Sequence, residues 1–321
     1  LVSVVYVDLA WAHRGLLFSL KPERVFSGIP VLQPADVKWT RLFYYPSQRD
    51  LHPAYYSVTG RPTFEQAVSL SFQNYLPNVG VLHDIDYFQE IDALNRRPYS
   101  EFLSVANGMD FARQIKLLRT FNVGYLVSFR ELPEMGIRLV GRFPKYFSWL
   151  YRVEGTVPRV YLVNEFLVEK EAAKVLQRLS DPDFDPLKEV ILDTGASVEA
   201  FGELDAQATI ERYENATVSV RVAADGDAIL VLADSYYPGW KAFVDGHETE
   251  IFRANHFYRA VVLPKGEHRV EFHYRPQSFA LGVVISVVAL LFVAAVFLWV
   301  LLGERKIAAR PTYASAQVLQ D

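Results

Sequence analysis

The chain of 321 residues contains no cysteine. Disulfides, thiolate metal ligands and cysteine nucleophiles are therefore excluded together. The absence leaves the redox compartment open, because a bacterial envelope protein and a cytosolic one both fit it. A positive surplus is missing as well: 33 Lys and Arg stand against 37 Asp and Glu, a net charge of −4. With no Lys/Arg-rich run and no basic stripe, nothing points to a nucleic-acid partner. There is no G-x-S-x-G elbow, P-loop, dinucleotide fingerprint or H-E-x-x-H helix, so the common nucleophilic, nucleotide and zinc-protease sites have no candidate here. His268 and His273 lack a histidine partner at metal-ligand spacing and read as ordinary strand residues. No cofactor is expected.

Charge is absent from one long stretch, Pro276 to Gly303. Its core, Leu281–Leu302, reads LGVVISVVALLFVAAVFLWVLL and is apolar on every side of a helix. At about 1.5 Å per residue it spans roughly 33 Å, enough to cross hydrocarbon about 30 Å thick. Sixteen of these residues are Leu, Ile, Val or Phe. Insertion then gains about 5–10 kcal/mol as an upper bound. A buried core helix of this length would show a polar stripe. The expectation is a membrane protein with one visible span after a large domain.

Leu1–Val7 is a short apolar run broken by Asp8, without a basic leader or a small-residue cleavage site, so it reads as a strand rather than a signal peptide. A large domain outside the cytoplasm needs something to carry it there. Earlier transmembrane helices would do so, and the chain reads as the C-terminal piece of a longer polytopic protein. Arg305, Lys306 and Arg310 follow the span, whereas Arg259, Lys265, Arg269 and Arg275 precede it inside a folded domain. Charges of folded domains weigh little in the positive-inside rule, which mildly favours a cytoplasmic tail.

Along the chain, strands are expected at Leu1–Ala10, Arg41–Tyr45, Val123–Phe129, Leu139–Phe143, Phe147–Arg152 and Val160–Val163. Helices are expected at Thr63–Phe72, Tyr99–Ala106, Phe111–Phe121 and Lys170–Leu179, the last stopped by Asp181-Pro182. From about Glu211 the rhythm becomes pure β. Six short strands are expected: Val218–Ala223, Ala228–Asp234, Trp240–Val244, Thr249–Arg253, Tyr258–Leu263 and His268–Tyr274. Turns at Asp225-Gly226, Asp245-Gly246 and Lys265-Gly266 join some of them. The fold class is α+β. It comprises a mixed α/β extracytoplasmic domain over 1–195, a small antiparallel β-sandwich over 196–275, a membrane helix over 276–303 and a cytoplasmic tail over 304–321. With almost no linker before the span, the sandwich must sit on the membrane.

Several motifs carry two readings each. Tyr236-Tyr237-Pro238-Gly239-Trp240 can bend the chain between strands and anchor the core or the membrane interface, or offer aromatic faces to a sugar. Arg253 and Asn255 can bond a ligand or finish a strand edge. Asp84-Ile85-Asp86 puts two carboxylates on one side of an extended segment, which suits a divalent cation but also arises by chance.

The stretch Asp234–Arg275, DSYYPGWKAFVDGHETEIFRANHFYRAVVLPKGEHRVEFHYR, resembles the C-terminal extracytoplasmic region of YfhO-family bacterial membrane proteins. YYPGWK, then VDG, a strand ending in R-x-N, an aromatic-rich strand and P-x-G-x-H before a membrane helix follow that family's order. Leu76-Pro77-Asn78, Asp84–Tyr87, Leu117–Val127 and Pro158–Val163 resemble it upstream. The resemblance implies a polytopic glycosyltransferase-like protein of the GT-C type. Its donor would be a polyprenyl-phosphate-linked sugar, and its acceptor an envelope polysaccharide or lipid. Catalytic carboxylates of that class lie in an early external loop, so this chain alone is expected to transfer no sugar. A different class of function also fits: a non-catalytic, membrane-anchored carbohydrate-binding or scaffolding module. The implied partners are the lipid bilayer, a polyprenyl-phosphate sugar and an envelope glycan, and the implied place is the bacterial cytoplasmic membrane.

Overall fold

The computed structural model describes residues 38–45, 85–88, 97–144, 148–196 and 204–308. The expected strand at Leu1–Ala10 and helix at Thr63–Phe72 lie outside these residues. The fold is α+β, and the described residues form three sheets, three short helices and one long apolar helix at the C-terminal end.

The first sheet is mixed. Strand β1 (Arg41–Tyr45) runs parallel to β2 (Asp86–Tyr87) and β3 (Val123–Ser128). Beyond β3 the sheet continues antiparallel through β5 (Ser148–Val153) to β4 (Ile137–Phe143). Every residue of β3 is buried, which is why VGYLVS reads as a continuous run without alternation. Helices α1 (Arg97–Ala106) and α2 (Phe111–Thr120) precede β3. Asp110 caps α2 by accepting a hydrogen bond from the Arg113 amide at 2.9 Å. The helix α3 (Ala172–Ser180) ends at Asp181-Pro182, because the residue before proline resists the helical conformation.

The second sheet crosses the boundary expected at 195. Its order is β6 (Val160–Val163), β11 (Ala228–Ser235), β15 (Tyr258–Leu263), β14 (Phe252–Ala254), β8 (Glu189–Leu192), β7 (Glu165–Val168). Three of its six strands thus come from before residue 195. The third sheet is β13 (His247–Thr249), β12 (Trp240–Val244), β16 (Gly266–Tyr274), β10 (Thr217–Ala224), β9 (Ala206–Glu214).

β11 shows how the layers are built. Its run AILVLAD is buried throughout. Ile229, Val231 and Ala233 join the core shared with the helices and the first sheet. Leu230 and Leu232 join a second core with Val220, Val261, Val270 and Phe272, between the second and third sheets. The second sheet is a middle layer, and a strand covered on both faces has no polar side to show.

Three details differ from the sequence expectation. Asp225-Gly226 and Lys265-Gly266 do not close hairpins: β10 and β16 lie in the third sheet, whereas β11 and β15 lie in the second. Only Asp245-Gly246 joins paired neighbours, β12 and β13, and both residues take positive φ, 50° and 83°, as a tight hairpin requires. The strand expected over Thr249–Arg253 is two: β13 pairs β12 and β14 pairs β15, so the chain changes sheets at Glu250-Ile251. Strand β9 begins at Ala206, before the expected onset near Glu211.

The long helix α4 (Gln277–Ala308) has 32 residues. Its stretch Gln277–Trp299 is long and apolar enough to cross a membrane, and none of it is buried against the head. Phe279, Phe292 and Trp299 are each about 70 % exposed or more. A helix this apolar with no protein cover is stable only in lipid.

Candidate functional site

A cavity of about 730 Å³ opens at the end of the two facing sheets from which α4 departs. Its floor is built on one buried carboxylate. Asp234 follows Leu230 and Leu232 in the alternation of β11, so it points between the sheets. The β11–β15 register slips by two residues between Leu232 and Ser235, so Ala233 and Asp234 have no opposite residue in β15, and the Asp234 side chain meets Arg259. A bulge between β9 and β10 leaves Glu211 without an opposite residue. The extra residue reverses the alternation, so that Tyr213 packs inward as Ile210 does. The alternation of β11 and the bulge in β9 together aim Asp234 and Tyr213 at the cavity.

Three guanidinium groups converge on Asp234. Arg159 Nη2 lies 2.8 Å from Oδ1, Arg41 Nη2 3.1 Å from Oδ1, and Arg259 Nη2 3.2 Å from Oδ2. The Tyr213 hydroxyl is 3.1 Å from both oxygens and bonds Arg159. Arg159 also meets Asp86 Oδ2 at 3.0 Å. Arg41 donates in addition to the carbonyls of Phe121 and Ala233. One carboxylate therefore ties the first sheet (Arg41), the second (Arg259) and the third (Tyr213).

The electrostatics follow from this crowding. Burial alone would raise the Asp234 carboxyl, but Arg159, Arg259 and Arg41 hold it below the usual carboxylate range. Burial pushes the Tyr213 hydroxyl up to about 12, and the Asp234 charge adds to the effect. Burial pushes Arg259 down to about 10 against the pull of Asp234. A carboxylate held ionised by three guanidiniums is a poor proton acceptor, so this floor suits binding rather than acid–base chemistry.

The wall nearest α4 is aromatic. Tyr236, Tyr237, Trp240 and Tyr274 line it, and the two tyrosines of the motif are 40 % and 51 % exposed. Trp240 lies under the Arg259 guanidinium, 3.8 Å from its ring centre, and 5.3 Å from Tyr274. Gly239 has φ of 107°, and a Cβ there would meet Pro276 Cα at 3.0 Å. Its carbonyl accepts the Arg275 amide at 2.7 Å. The Pro-Gly-Trp turn is thus the joint between the head and the root of the membrane helix, and glycine is required for the close approach.

The sequence-selected residues divide. Tyr236, Tyr237, Trp240 and Asp86 meet at the cavity; Asp84 lies outside the described residues. Among the described residues no group of His, Asp and Glu is arranged to hold a metal. Arg253 pairs with Asp193 at 3.3 Å, away from the cavity. Asn255 is fully buried with φ of 44°; its Oδ1 accepts the Ile191 amide at 2.9 Å and its Nδ2 donates to the Tyr161 hydroxyl at 3.1 Å. Asn255→Ala should cost about 2 kcal/mol, because it leaves a buried amide unpaired and places alanine at positive φ. Thermal unfolding of the full chain in detergent checks this.

Arg41, Arg159, Tyr213, Asp234 and Arg259 were not singled out from sequence. A signal existed for two of them. Asp234 closes an apolar run at the inward alternation, and Arg259 precedes Val261 and Leu263 on the same face of β15.

Residues 189–286 match the family model described as Bacterial membrane protein YfhO. This part of the chain is similar to that family. Comparisons with curated proteins and with solved structures gave no match. The YfhO segment runs from β8 into the first turns of α4 and carries Tyr213, Asp234, the Tyr236–Trp240 turn and Arg259. Arg41, Asp86 and Arg159 reach the same cavity from outside it.

Proposed function

We propose that this chain is the outer head of a glycosyltransferase-like membrane protein of the bacterial envelope. In this reading the head lies on the extracytoplasmic face and holds a polyprenyl-phosphate-linked sugar at the membrane surface. An envelope polysaccharide or lipid receives the sugar. The observation that carries the reading is the place of the cavity: its aromatic wall is the same turn that packs against the root of the membrane helix. A head group rising from the bilayer beside that root meets Tyr236, Tyr237 and Trp240 first. Tyrosine and tryptophan suit that position because each has an apolar body and a polar tip, and their flat faces stack on sugar rings. The three-guanidinium floor favours a binding and positioning role for the head, with bond-making elsewhere in the parent protein. A non-catalytic carbohydrate-binding module uses the same wall in the same way, and the test below bears on both.

The test is photo-crosslinking of a polyprenyl-phosphate sugar to the full chain in lipid nanodiscs. We expect labelling in the peptide containing Tyr236–Trp240, falling about tenfold in Trp240→Ala, the loss of one aromatic contact worth about 1.4 kcal/mol. Labelling no greater than that given by the sugar-free polyprenyl phosphate overturns the carbohydrate reading.

A further inference from the structure

The floor of the cavity has more positive charge than its buried acid can satisfy. Arg41, Arg159 and Arg259 are each less than 10 % exposed, and among the described residues Asp234 is the one buried carboxylate they share. Asp86, the other acid on Arg159, is about half exposed at the rim. The hydrogen-bond ledger is incomplete in the same place. Arg259 gives only Nη2 to Asp234; its Nε and Nη1 are buried and have no hydrogen-bond partner among the described residues, and neither has Arg159 Nε. Buried donors are nearly always paired, and a guanidinium has no neutral form to retreat to. The burial that drags Arg259 down to about 10 is the same deficit seen as proton affinity. Trp240, stacked at 3.8 Å, fixes the orientation of the group.

From the unpaired donors, the shared carboxylate and the adjoining cavity, we infer that Arg259 and Arg159 form a phosphate-binding site. This deepens the reading above, on which it rests for the source of the phosphate: a lipid-borne ester. A phosphate oxygen accepts charge-assisted hydrogen bonds from the guanidinium donors that Asp234 leaves over. Its charge balances the third arginine, and the group esterified to it lies along Tyr236 and Tyr237. Arg259 is the specificity-determining residue, because Arg41 already donates to two backbone carbonyls as well as to Asp234.

The experiment measures thermal unfolding and tryptophan emission of the full chain in phosphatidylcholine nanodiscs. One arm adds inorganic phosphate against chloride at matched ionic strength. The other replaces part of the phosphatidylcholine with phosphatidic acid, a lipid-borne phosphate monoester. We expect a Tm rise of about 5 °C at a hundredfold excess over Kd, together with a change in emission, since Trp240 touches Arg259. Arg259→Met should lose both responses. Should that variant fail to fold, Arg259→Lys, which keeps a cation for Asp234, should bind about tenfold more weakly. A response to both forms, or to phosphatidic acid alone, supports the inference. A response to inorganic phosphate alone keeps the phosphate site but removes the lipid-borne source and with it the reading above. An unresponsive wild type, or an Arg259 variant that responds as the wild type does, overturns the site. The sugar reading would then stand or fall on its own crosslinking test.

Discussion

Asp234→Ala is expected to destabilise the head by about 3–5 kcal/mol, the range for breaking a buried ion pair from one side. The reason is what it leaves behind. Three guanidiniums, all less than 10 % exposed, would face one another with no carboxylate between them. The Tyr213 hydroxyl would lose its acceptor as well. Because Arg41, Arg259 and Tyr213 belong to three different sheets, the loss should loosen the joints between layers rather than one strand. Removing a cation as well should restore part of the loss, so Asp234→Ala with Arg259→Met should be more stable than Asp234→Ala alone. The pH dependence has a definite sign. The folded Asp234 carboxyl sits below its unfolded value, so its stabilisation is present above the unfolded value, about 3.9. It is lost as pH falls through the folded value. Wild type should therefore lose stability in that acid window, and Asp234→Ala should show a smaller loss there. Denaturant titrations of both proteins between neutral and acid pH measure this.

The second large effect concerns the membrane helix. Leu290→Lys combined with Val293→Lys places two cations near the middle of the span. Each costs about 2.5–3.5 kcal/mol on the insertion scale, so the pair removes about 5–7 kcal/mol of a total gain of about 5–10. Both side chains are more than 60 % exposed and touch nothing in the head, so head packing should be unchanged. The doubly substituted chain should move from the carbonate-resistant membrane pellet into the supernatant. A variant that stays in the pellet as the wild type does would show that this helix is not what holds the protein in the membrane.

Much of the outline was legible because it rests on local rules. The span followed from an uncharged apolar run, and α2 and α3 from helical spacing and their stops. The tight turn at Asp245-Gly246 followed from the residues that tolerate positive φ. The choice of Tyr236, Tyr237 and Trp240 followed from their crowding in one turn, and the structure gathers them on one wall. Other details escaped for a stated reason. A Gly-containing turn between two apolar strands looks the same whether the strands pair or lie in facing sheets, so Asp225-Gly226 and Lys265-Gly266 gave no warning of the crossing. Strand β9 begins with alanines between uncharged polar residues and then breaks its alternation at Glu211, a weak pattern until Val220 and Tyr213 show which side is inside.

What the amino-acid sequence determined by itself was composition-driven: a lipid-seeking helix, a β-rich head joined to it almost without a linker, and an aromatic turn between two of the head's strands. These depend on transfer free energies and on backbone preferences, which each segment carries alone. Only the tertiary structure decided that Arg41, Asp86, Arg159, Tyr213, Asp234 and Arg259 share one cavity. They come from five strands and the residue just before a sixth, spread over about two hundred positions. A single-residue bulge in β9 turns Tyr213 inward, where the alternation of β11 has already brought Asp234. Charge pairing across such distances is a property of the assembled layers, because a buried ion finds its partner only after the sheets have closed around it.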